Sequence, residues 1–177
     1  MLFNEVIGFE VIPEDEKVIY RQAVRAIVLN RDHQVVMIRS RKGDYSFPGG
    51  GLEEGESQLE TLRREALEEA GIVIKEAARL IGVVKEQRRS LEVSGAYFMM
   101  TSSYYLCDVK AYAKPQLEEY EKEWGFTPVP IDIAWAYKKN LEVFKRQDLV
   151  IPWLERDTFV LKCLLENKEE LFKMGSV

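Results

Sequence analysis

The chain has 177 residues but little cysteine and little histidine. Its two cysteines, Cys107 and Cys163, lack the close spacing of a metal site, so we expect buried free thiols in a reducing compartment. The one histidine, His33, stands in a polar turn, where a solvated ring is the simplest interpretation. A general base in this protein is therefore expected to be a carboxylate.

Long apolar runs and blocks of positive charge are also missing. The first residues, MLFNEVIGFEVIPEDEK, contain neither a basic segment nor an extended apolar stretch. We therefore expect no signal peptide, no transmembrane helix and a cytoplasmic location. The net charge of −5 and the lack of a Lys/Arg stripe argue against binding long nucleic acid through a basic surface.

What is present suits one globular domain over residues 1–177, because 46% of the residues are hydrophobic and 31% are charged. The apolar pattern predicts an α+β protein, an α/β/α sandwich with a mixed sheet. The predicted strands are Val6–Ile12, Tyr20–Leu29, Gln34–Arg39, Val73–Glu86, Tyr97–Met100, Ser103–Ala113 and Val129–Ile133. The predicted helices are Ser57–Ala70, Ile133–Lys145 and Trp153–Phe172, and the last is expected to pack in the core or at a homodimer contact.

The stretch from Gly50 to Ile72, GGLEEGESQLETLRREALEEAGI, carries the clearest functional signal. Ser57 is a good N-cap residue, Glu60 completes a capping box, and Gly71 stands where a helix would end. An apolar stripe along this helix is expected to pack on a sheet. The stripe consists of Leu59, Leu62, Ala66 and Ala70.

Three carboxylates, Glu65, Glu68 and Glu69, fall together on the adjacent helical face, at positions i, i+3 and i+4. Like charges at this spacing repel, and one i,i+4 pair costs about 0.2–0.5 kcal/mol. A hard divalent cation would remove that repulsion, because Mg²⁺ prefers oxygen ligands. We therefore predict that these three residues bind a metal ion.

The same stretch reads Gly, five residues, Glu, seven residues and then Arg-Glu-x-x-Glu-Glu-x-Gly-aliphatic. This spacing resembles the Nudix box, the signature of the Nudix hydrolases, with Ala66 as a mild departure because a bulkier aliphatic residue is usual there. The resemblance is specific over Phe47–Ile72 and looser over about Tyr20–Phe172. It does not extend to residues 1–19, an N-terminal extension. It implies a curved mixed sheet between helices.

The resemblance also implies roles for the residues around the three carboxylates. The glycine turn of the family supplies a backbone carbonyl to a metal, from Gly49 or Gly50 here; we assign Gly50 to the metal and Gly49 to the substrate. Glu56 is a weaker, outer ligand candidate. Arg64 matches the box arginine, which orients a neighbouring carboxylate, although a surface ion pair with Glu60 or Glu68 is the alternative. One to three Mg²⁺ (or Mn²⁺) ions are implied.

The general base is less closely defined, because many family members take it from a loop beyond the box. The acidic segment Lys114–Gly125 offers four glutamates, of which we favour Glu121 or Glu123 over Glu118 and Glu119. Glu68 or Glu69 as the base is the main variant, and a solvated acidic turn without a role is the plain alternative.

Three cations precede the glycine turn closely in sequence. They could contact phosphate or simply keep a loop soluble, and the sequence weighs these about evenly. They are Arg39, Arg41 and Lys42.

The implied activity is metal-dependent hydrolysis of the diphosphate linkage in a nucleoside diphosphate linked to another group, such as ADP-ribose, a nucleotide sugar or a dinucleotide. Arg64, Glu65, Glu68 and Glu69 would form the catalytic centre, and the partner would be a small nucleotide-type diphosphate. A nucleoside triphosphate pyrophosphohydrolase is the first alternative. A non-catalytic, ligand-binding regulator is the second, although such proteins often lose box glutamates that this chain retains.

Overall fold

The computed structural model describes residues 1–8, 11–90, 93–146, 148 and 150–175. The strands are β1 (Phe3–Ile7), β2 (Val18–Ile27), β3 (Val35–Arg39), β4 (Tyr45–Ser46), β5 (Ile72–Arg89), β6 (Tyr97–Tyr112) and β7 (Thr127–Ile131). The helices are α1 (Gln58–Ala70), α2 (Glu119–Trp124), α3 (Ile133–Phe144), α4 (Leu154–Glu166) and α5 (Lys168–Gly175). No helix in these ranges is both long and apolar enough to cross a bilayer.

The strands form two sheets, and the smaller one lies beside β2, an edge strand of the larger one. The larger sheet has the order β1-β5-β6-β2, in which β5 and β6 are antiparallel and the two outer pairs are parallel. The smaller, antiparallel sheet has the order β4-β3-β7. Two isolated bridges lie between them: Ala23 of β2 pairs with Gly51 of the glycine turn, and Leu29, just after β2, pairs with Val35 of β3. The predicted mixed sheet is confirmed.

Helices cover both faces of this arrangement because the second half of β2 has buried apolar side chains on each side. Val24 and Ala26 join a buried cluster with Leu62 and Ala66 of α1. Ile27 joins a second cluster that includes buried residues of α3, α4 and α5. The layers are therefore helix, sheet and helix, as the α+β prediction requires.

Several predicted boundaries were wrong. The first strand is Phe3–Ile7 rather than Val6–Ile12, of which residues 9 and 10 lie outside the described part. β5 continues through the break expected at Gln87–Ser90 as far as Arg89, and β6 joins two predicted strands into one. Pairing explains both, because the ends of β5 and β6 extend together from Arg89 opposite Tyr97 to Ile72 opposite Tyr112.

Two helical predictions also need correction. The acidic segment contains helix α2, which begins after a capping box between Glu118 and Glu121 and ends at Gly125 with φ of 67°. The last helix is two helices, because α4 ends at Asn167 with a non-helical backbone before α5 begins. The Ile133–Lys145 prediction is confirmed within one residue.

Candidate active site

Helix α1 is fixed by caps at both of its ends. The Ser57 hydroxyl accepts the N–H of Glu60 at 3.3 Å, and the Glu60 carboxylate accepts the N–H of Ser57 at 2.9 Å. Gly71 ends the helix in the left-handed region, at φ 64°. The predicted capping box and terminal glycine are confirmed, and they set the rotation at which α1 packs on the sheet.

The glycine turn lies directly against β2. The carbonyls of Pro48 and Gly50 accept the backbone N–H groups of Ala26 and Val24, at 2.8 and 3.0 Å. Gly49, between them, has φ of 141°, and a Cβ there would lie 2.1 Å from the Val24 carbonyl oxygen. Position 49 therefore accepts glycine alone.

Two carboxylates of α1 reach this turn. The Gly49 N–H donates a buried hydrogen bond to Glu69 Oε2 at 2.7 Å. Glu65 comes so close to Gly50 that a Cβ on Gly50 would lie 2.2 Å from Glu65 Oε1. The turn and the helix thus bring two carboxylates and two glycine backbones into one place.

Arg64 connects two further carboxylates, Glu56 and Glu68, to the site formed by Glu65, Glu69 and the glycine turn. Its guanidinium donates to Glu56 at 2.8 and 2.9 Å, to Glu65 at 2.8 Å and to Glu68 at 3.1 Å. These hydrogen bonds from Arg64 are the main reason that the pKa of Glu56 is lowered to about 2. Glu60 is instead occupied by Ser57. Arg64 therefore orients three acids at once: Glu56, Glu65 and Glu68. The last of these is one of the two partners expected for a surface ion pair.

Burial makes negative charge costly at this site. Glu69 is 6% exposed, and its removal from water raises its pKa well above the usual range, against the opposing effects of Arg25 and the Gly49 N–H. Burial also raises the pKa of Glu65, although the Arg64 guanidinium counteracts it. Ionised carboxylates here therefore call for a nearby positive charge.

The donor atoms fit a hard divalent cation. Glu65, Glu68 and Glu69 offer carboxylate oxygens, and the Gly50 carbonyl has a second lone pair beyond the one that Val24 uses. Within the described ranges, no three acidic, histidine or cysteine side chains already converge tightly enough to hold a metal. The contacts explain this, because Arg64 holds Glu65 and Glu68 while Gly49 holds Glu69.

The two favoured glutamates of the acidic segment lie in different surroundings. Glu121 is 3% exposed, and its carboxylate accepts the Glu118 N–H at 2.7 Å and the Tyr120 hydroxyl at 3.1 Å. Its charge acts on Glu69, whose pKa it helps to raise. Glu123 is exposed, because residues two apart on a helix do not share a face. The structure thus separates these two candidates.

A cavity of about 320 Å³ opens beside the glycine turn and Glu69. Side chains that alternate along three neighbouring strands form one wall, and rings and one arginine from the helical side form the other. The sheet wall contains Arg21, Ala23 and Arg25 of β2, Glu86 and Arg88 of β5, and Phe98 and Met100 of β6. The facing wall contains Phe47, Tyr120, Phe126, Trp153 and Arg156.

The cations predicted near the site are not in this cavity. Arg39, Arg41 and Lys42 are exposed and are not among its lining residues, since they end β3 and begin the turn that follows it. The sequence interpretation missed the four arginines that do line the cavity. Alternation along β2 could have indicated Arg21 and Arg25, but it could not show which face of the strand meets the glycine turn. The other two are Arg88 and Arg156.

A buried charged network supports the turn from behind. Asp157 is fully buried and accepts the Phe47 N–H at 3.2 Å, the Tyr104 hydroxyl at 3.0 Å and Arg156 Nε at 2.9 Å. Arg156 also donates to Glu86 at 3.2 Å. These contacts attach α4 to the segment that leads into the glycine turn.

Comparison with known proteins agrees with this arrangement. The family model of the NUDIX domain matches residues 19–154. The chain belongs to the Nudix family. It is therefore a Nudix hydrolase that acts on pyrophosphate bonds, and the enzyme prediction is confirmed.

One curated relative matches almost in full. An RNA pyrophosphohydrolase of a Nitratiruptor species is 32% identical over 152 residues, which cover 75% of this chain and 97% of the relative. A second RNA pyrophosphohydrolase, from Helicobacter pylori, is 45% identical over 58 residues, which cover 29% of this chain and 37% of the relative.

Solved structures share the Nudix fold. MutT from Aliivibrio salmonicida and Vibrio cholerae has a TM-score of 0.52 at 20% identity, with 84% of this chain and 98% of that chain covered. An ADP-ribose pyrophosphatase from Streptococcus suis has a TM-score of 0.53 at 16% identity, with coverage of 84% and 91%. At such identity these structures define the fold and leave the substrate open.

Proposed function

We propose that this Nudix hydrolase cleaves the diphosphate linkage of a nucleoside diphosphate joined to another group, with the aid of Mg²⁺ or Mn²⁺. The observation that carries the proposal is the meeting of Glu65 and Glu69 with the Gly49–Gly50 backbone, next to a cavity walled by arginines. Carboxylates that can bind a metal cation thus lie next to arginines that can bind phosphate, and a metal-bound diphosphate requires both.

The metal would be held by the carboxylates of Glu65, Glu68 and Glu69 and by the Gly50 carbonyl, with Glu56 further out. A divalent cation in such a site neutralises phosphate charge and makes water a better nucleophile. Arg64 would hold the carboxylates in place, as its bonds to Glu56, Glu65 and Glu68 suggest. Gly49 would position Glu69 through its N–H, and the Gly49 backbone, which lines the cavity, would contact the substrate.

Glu121 is our proposed general base. It is buried, belongs to helix α2 and acts electrostatically on Glu69. Its two hydrogen-bond donors, the Glu118 N–H and the Tyr120 hydroxyl, would orient the carboxylate. Exposed Glu123 fits this role less well. Glu68 or Glu69 remains the variant if Glu121 has no role.

The aromatic wall of the cavity supports the proposal that the substrate contains a nucleoside. Trp153 packs edge-to-face with Phe126, with ring centroids 5.6 Å apart, and its Nε1–H donates to Asp44 at 2.7 Å. The indole is therefore fixed, and a fixed ring is a favourable surface for a nucleobase.

The 5′ end of RNA is a second candidate substrate. It is favoured by the relative named RNA pyrophosphohydrolase, which this chain matches over 97% of that protein. Such a substrate needs only its terminal phosphates and first nucleotides in the cavity, so it does not conflict with the predicted lack of a long basic surface. A free nucleoside triphosphate is the third candidate, because its hydrolysis also breaks a diphosphate linkage.

A product-resolved screen tests the proposal. Purified protein is incubated with Mg²⁺ and with ADP-ribose, nucleotide sugars, dinucleoside polyphosphates, nucleoside triphosphates or a 5′-triphosphate RNA, and the products are separated. We expect cleavage of a diphosphate-linked nucleotide, suppressed by EDTA and by Glu65→Gln. Turnover confined to the RNA would favour the second candidate, and Mg²⁺-independent turnover would contradict the metal assignment.

We also propose that residues 1–177 form one domain, because β1 of the N-terminal extension pairs with β5 in the main sheet. The cytoplasmic location and the homodimer remain predictions from composition and from the apolar last helices.

A further inference from the structure

Four arginines line the cavity, and three of them are satisfied in different ways. Arg156 is ion-paired with two buried acids, at 3.2 and 2.9 Å. Arg88 stacks over the ring of Phe98, 4.5 Å from the ring centroid. Arg21 is exposed, so water can satisfy its guanidinium.

Arg25 differs from these three. Its Nε–H is buried and has no hydrogen-bond partner among the described residues. Two acids whose charges interact with Arg25, Glu86 of β5 and Asp157 of α4, already accept hydrogen bonds from Arg156. Burial, and next the like charge of Arg156, lower the pKa of Arg25. Arg25 is half-buried, and its buried Nε–H stands unsatisfied in a cavity that it shares with another cation, which an anion bound there would relieve.

The position of Arg25 places such an anion next to the carboxylate cluster. A Cβ on Gly49 would lie 2.9 Å from the Arg25 Cα, so the strand residue and the glycine turn are in direct contact. Arg25 and Glu69 also influence each other's pKa, each stabilising the charged form of the other. An anion bound by Arg25 would lie between the arginine and the cation site.

We propose that Arg25 is the phosphate-binding residue of the cavity, and that its guanidinium donates to a non-bridging oxygen of the substrate diphosphate. Arg156 is a positioning residue, because it occupies Glu86 and Asp157 and so leaves Arg25 available. This inference rests on the proposed function, since it takes a diphosphate as the ligand. An arginine fork matches phosphate oxygens with two parallel hydrogen bonds, which a lysine cannot do.

The test is a binding measurement that does not need turnover. Isothermal titration of the protein with α,β-methylene ADP in Mg²⁺ gives the dissociation constant of an uncleavable diphosphate, and methylenediphosphonate tests the diphosphate without a nucleoside. We expect Arg25→Gln to weaken both ligands about 10- to 100-fold, the value of one or two charge-assisted hydrogen bonds. Arg79→Gln, an exposed strand arginine of β5 outside the cavity, should bind like the wild type.

A second variant keeps the test decisive if Arg25→Gln does not fold. Arg25→Lys keeps the charge but not the fork, and should weaken α,β-methylene ADP by an intermediate amount, between wild type and Arg25→Gln. The melting temperature of each variant shows whether it is folded, and if Arg25→Gln is not, Arg25→Lys alone decides. Wild-type affinity in a folded Arg25→Gln or in Arg25→Lys would overturn the proposal, and so would a wild-type protein that binds neither ligand.

Kinetics separate this inference from the proposed function. With a cleaved substrate, Arg25→Gln should raise KM more than it lowers kcat, whereas a purely structural role would lower the melting temperature and leave KM unchanged. If no substrate in the screen is cleaved but analogue binding depends on Arg25, the proposed function fails and the phosphate site stands. If substrates are cleaved and Arg25→Gln binds normally, this inference alone fails.

Discussion

The Gly49 amide donates a 2.7 Å hydrogen bond to the buried carboxylate of Glu69, and this bond joins the glycine turn to the last turn of α1. It fixes one proposed metal ligand relative to the backbone that forms the wall of the cavity. The bond counteracts part of the cost of burying Glu69, and Arg25 counteracts another part. The remaining cost is what a bound cation would offset.

Glu69→Gln should therefore stop the reaction without unfolding the protein. The amide oxygen can still accept the Gly49 N–H, and the neutral group does not carry the cost of burying a negative charge. It cannot supply the charge that a divalent cation requires, so we expect kcat/KM to fall by about 100-fold or more. Steady-state kinetics and thermal unfolding measure the two effects. Exposed Glu170→Gln on α5 is the control, and unchanged turnover in Glu69→Gln would refute its assignment as a metal ligand.

A pair of neighbouring glycines gives a steric test of the same site. A Cβ on Gly50 would lie 2.2 Å from Glu65 Oε1, whereas a Cβ on Gly51 would meet the flexible end of exposed Arg21 at 2.9 Å. Neither glycine needs a positive φ. Gly50→Ala should push Glu65 aside and lower kcat/KM by about 10- to 100-fold.

Gly51→Ala is the matched control, since the Arg21 side chain can move. We expect it to keep the melting temperature and most of the wild-type turnover. Equal activities of the two alanine variants would show that the approach of Glu65 to Gly50 is unimportant for the reaction.

The helix that carries the proposed metal ligands could be predicted from the sequence because its signals are local. Ser57, Glu60 and Gly71 set the ends of α1 within the helix itself, and the spacing of Glu65, Glu68 and Glu69 fixes their common face. The same kind of signal was present but overlooked at α2, where Glu118 and Glu121 form a capping box and Gly125 ends the helix.

The cavity could not be predicted in the same way because it depends on contacts between distant segments. Arg25 and Arg156 stand 131 positions apart in sequence and come near each other only through the packing of α4 against the sheet. Arg39, Arg41 and Lys42 are close to the glycine turn in sequence, but they are exposed and do not line the cavity. Proximity along the chain therefore did not indicate which arginines line the cavity.

The N-terminal strand, for which the family resemblance offered no information, should be important for stability. Phe3 is 6% exposed, lies over Gly82 and packs edge-to-face on Tyr104 with centroids 5.5 Å apart. Phe3→Ala should lower the free energy of unfolding by about 3–5 kcal/mol. Urea denaturation measures this, and Val6→Ala, at a position 54% exposed, should change it by less than about 0.5 kcal/mol. A loss below about 1 kcal/mol for Phe3→Ala would mean that β1 is dispensable.

The ion pair between Glu56 and Arg64 should make stability depend on acid pH. The folded-state pKa of Glu56 is lowered from 4.5 to about 2, chiefly by hydrogen bonds from Arg64. A lowered pKa means that the native state binds the proton less readily than the unfolded chain. The pair therefore stabilises the fold above the unfolded pKa, and this contribution is lost as pH falls from about 4.5 toward 2.

Glu56→Gln removes this contribution, so its melting temperature in EDTA should lie below that of the wild type near neutral pH. The difference should shrink as the pH is lowered through the same window, because the wild-type carboxylate becomes protonated and resembles the amide. Exposed Glu14→Gln serves as the control and should show no such convergence. A difference that stays constant from about pH 7 to about pH 3 would indicate that Glu56 acts through its shape and not through its charge.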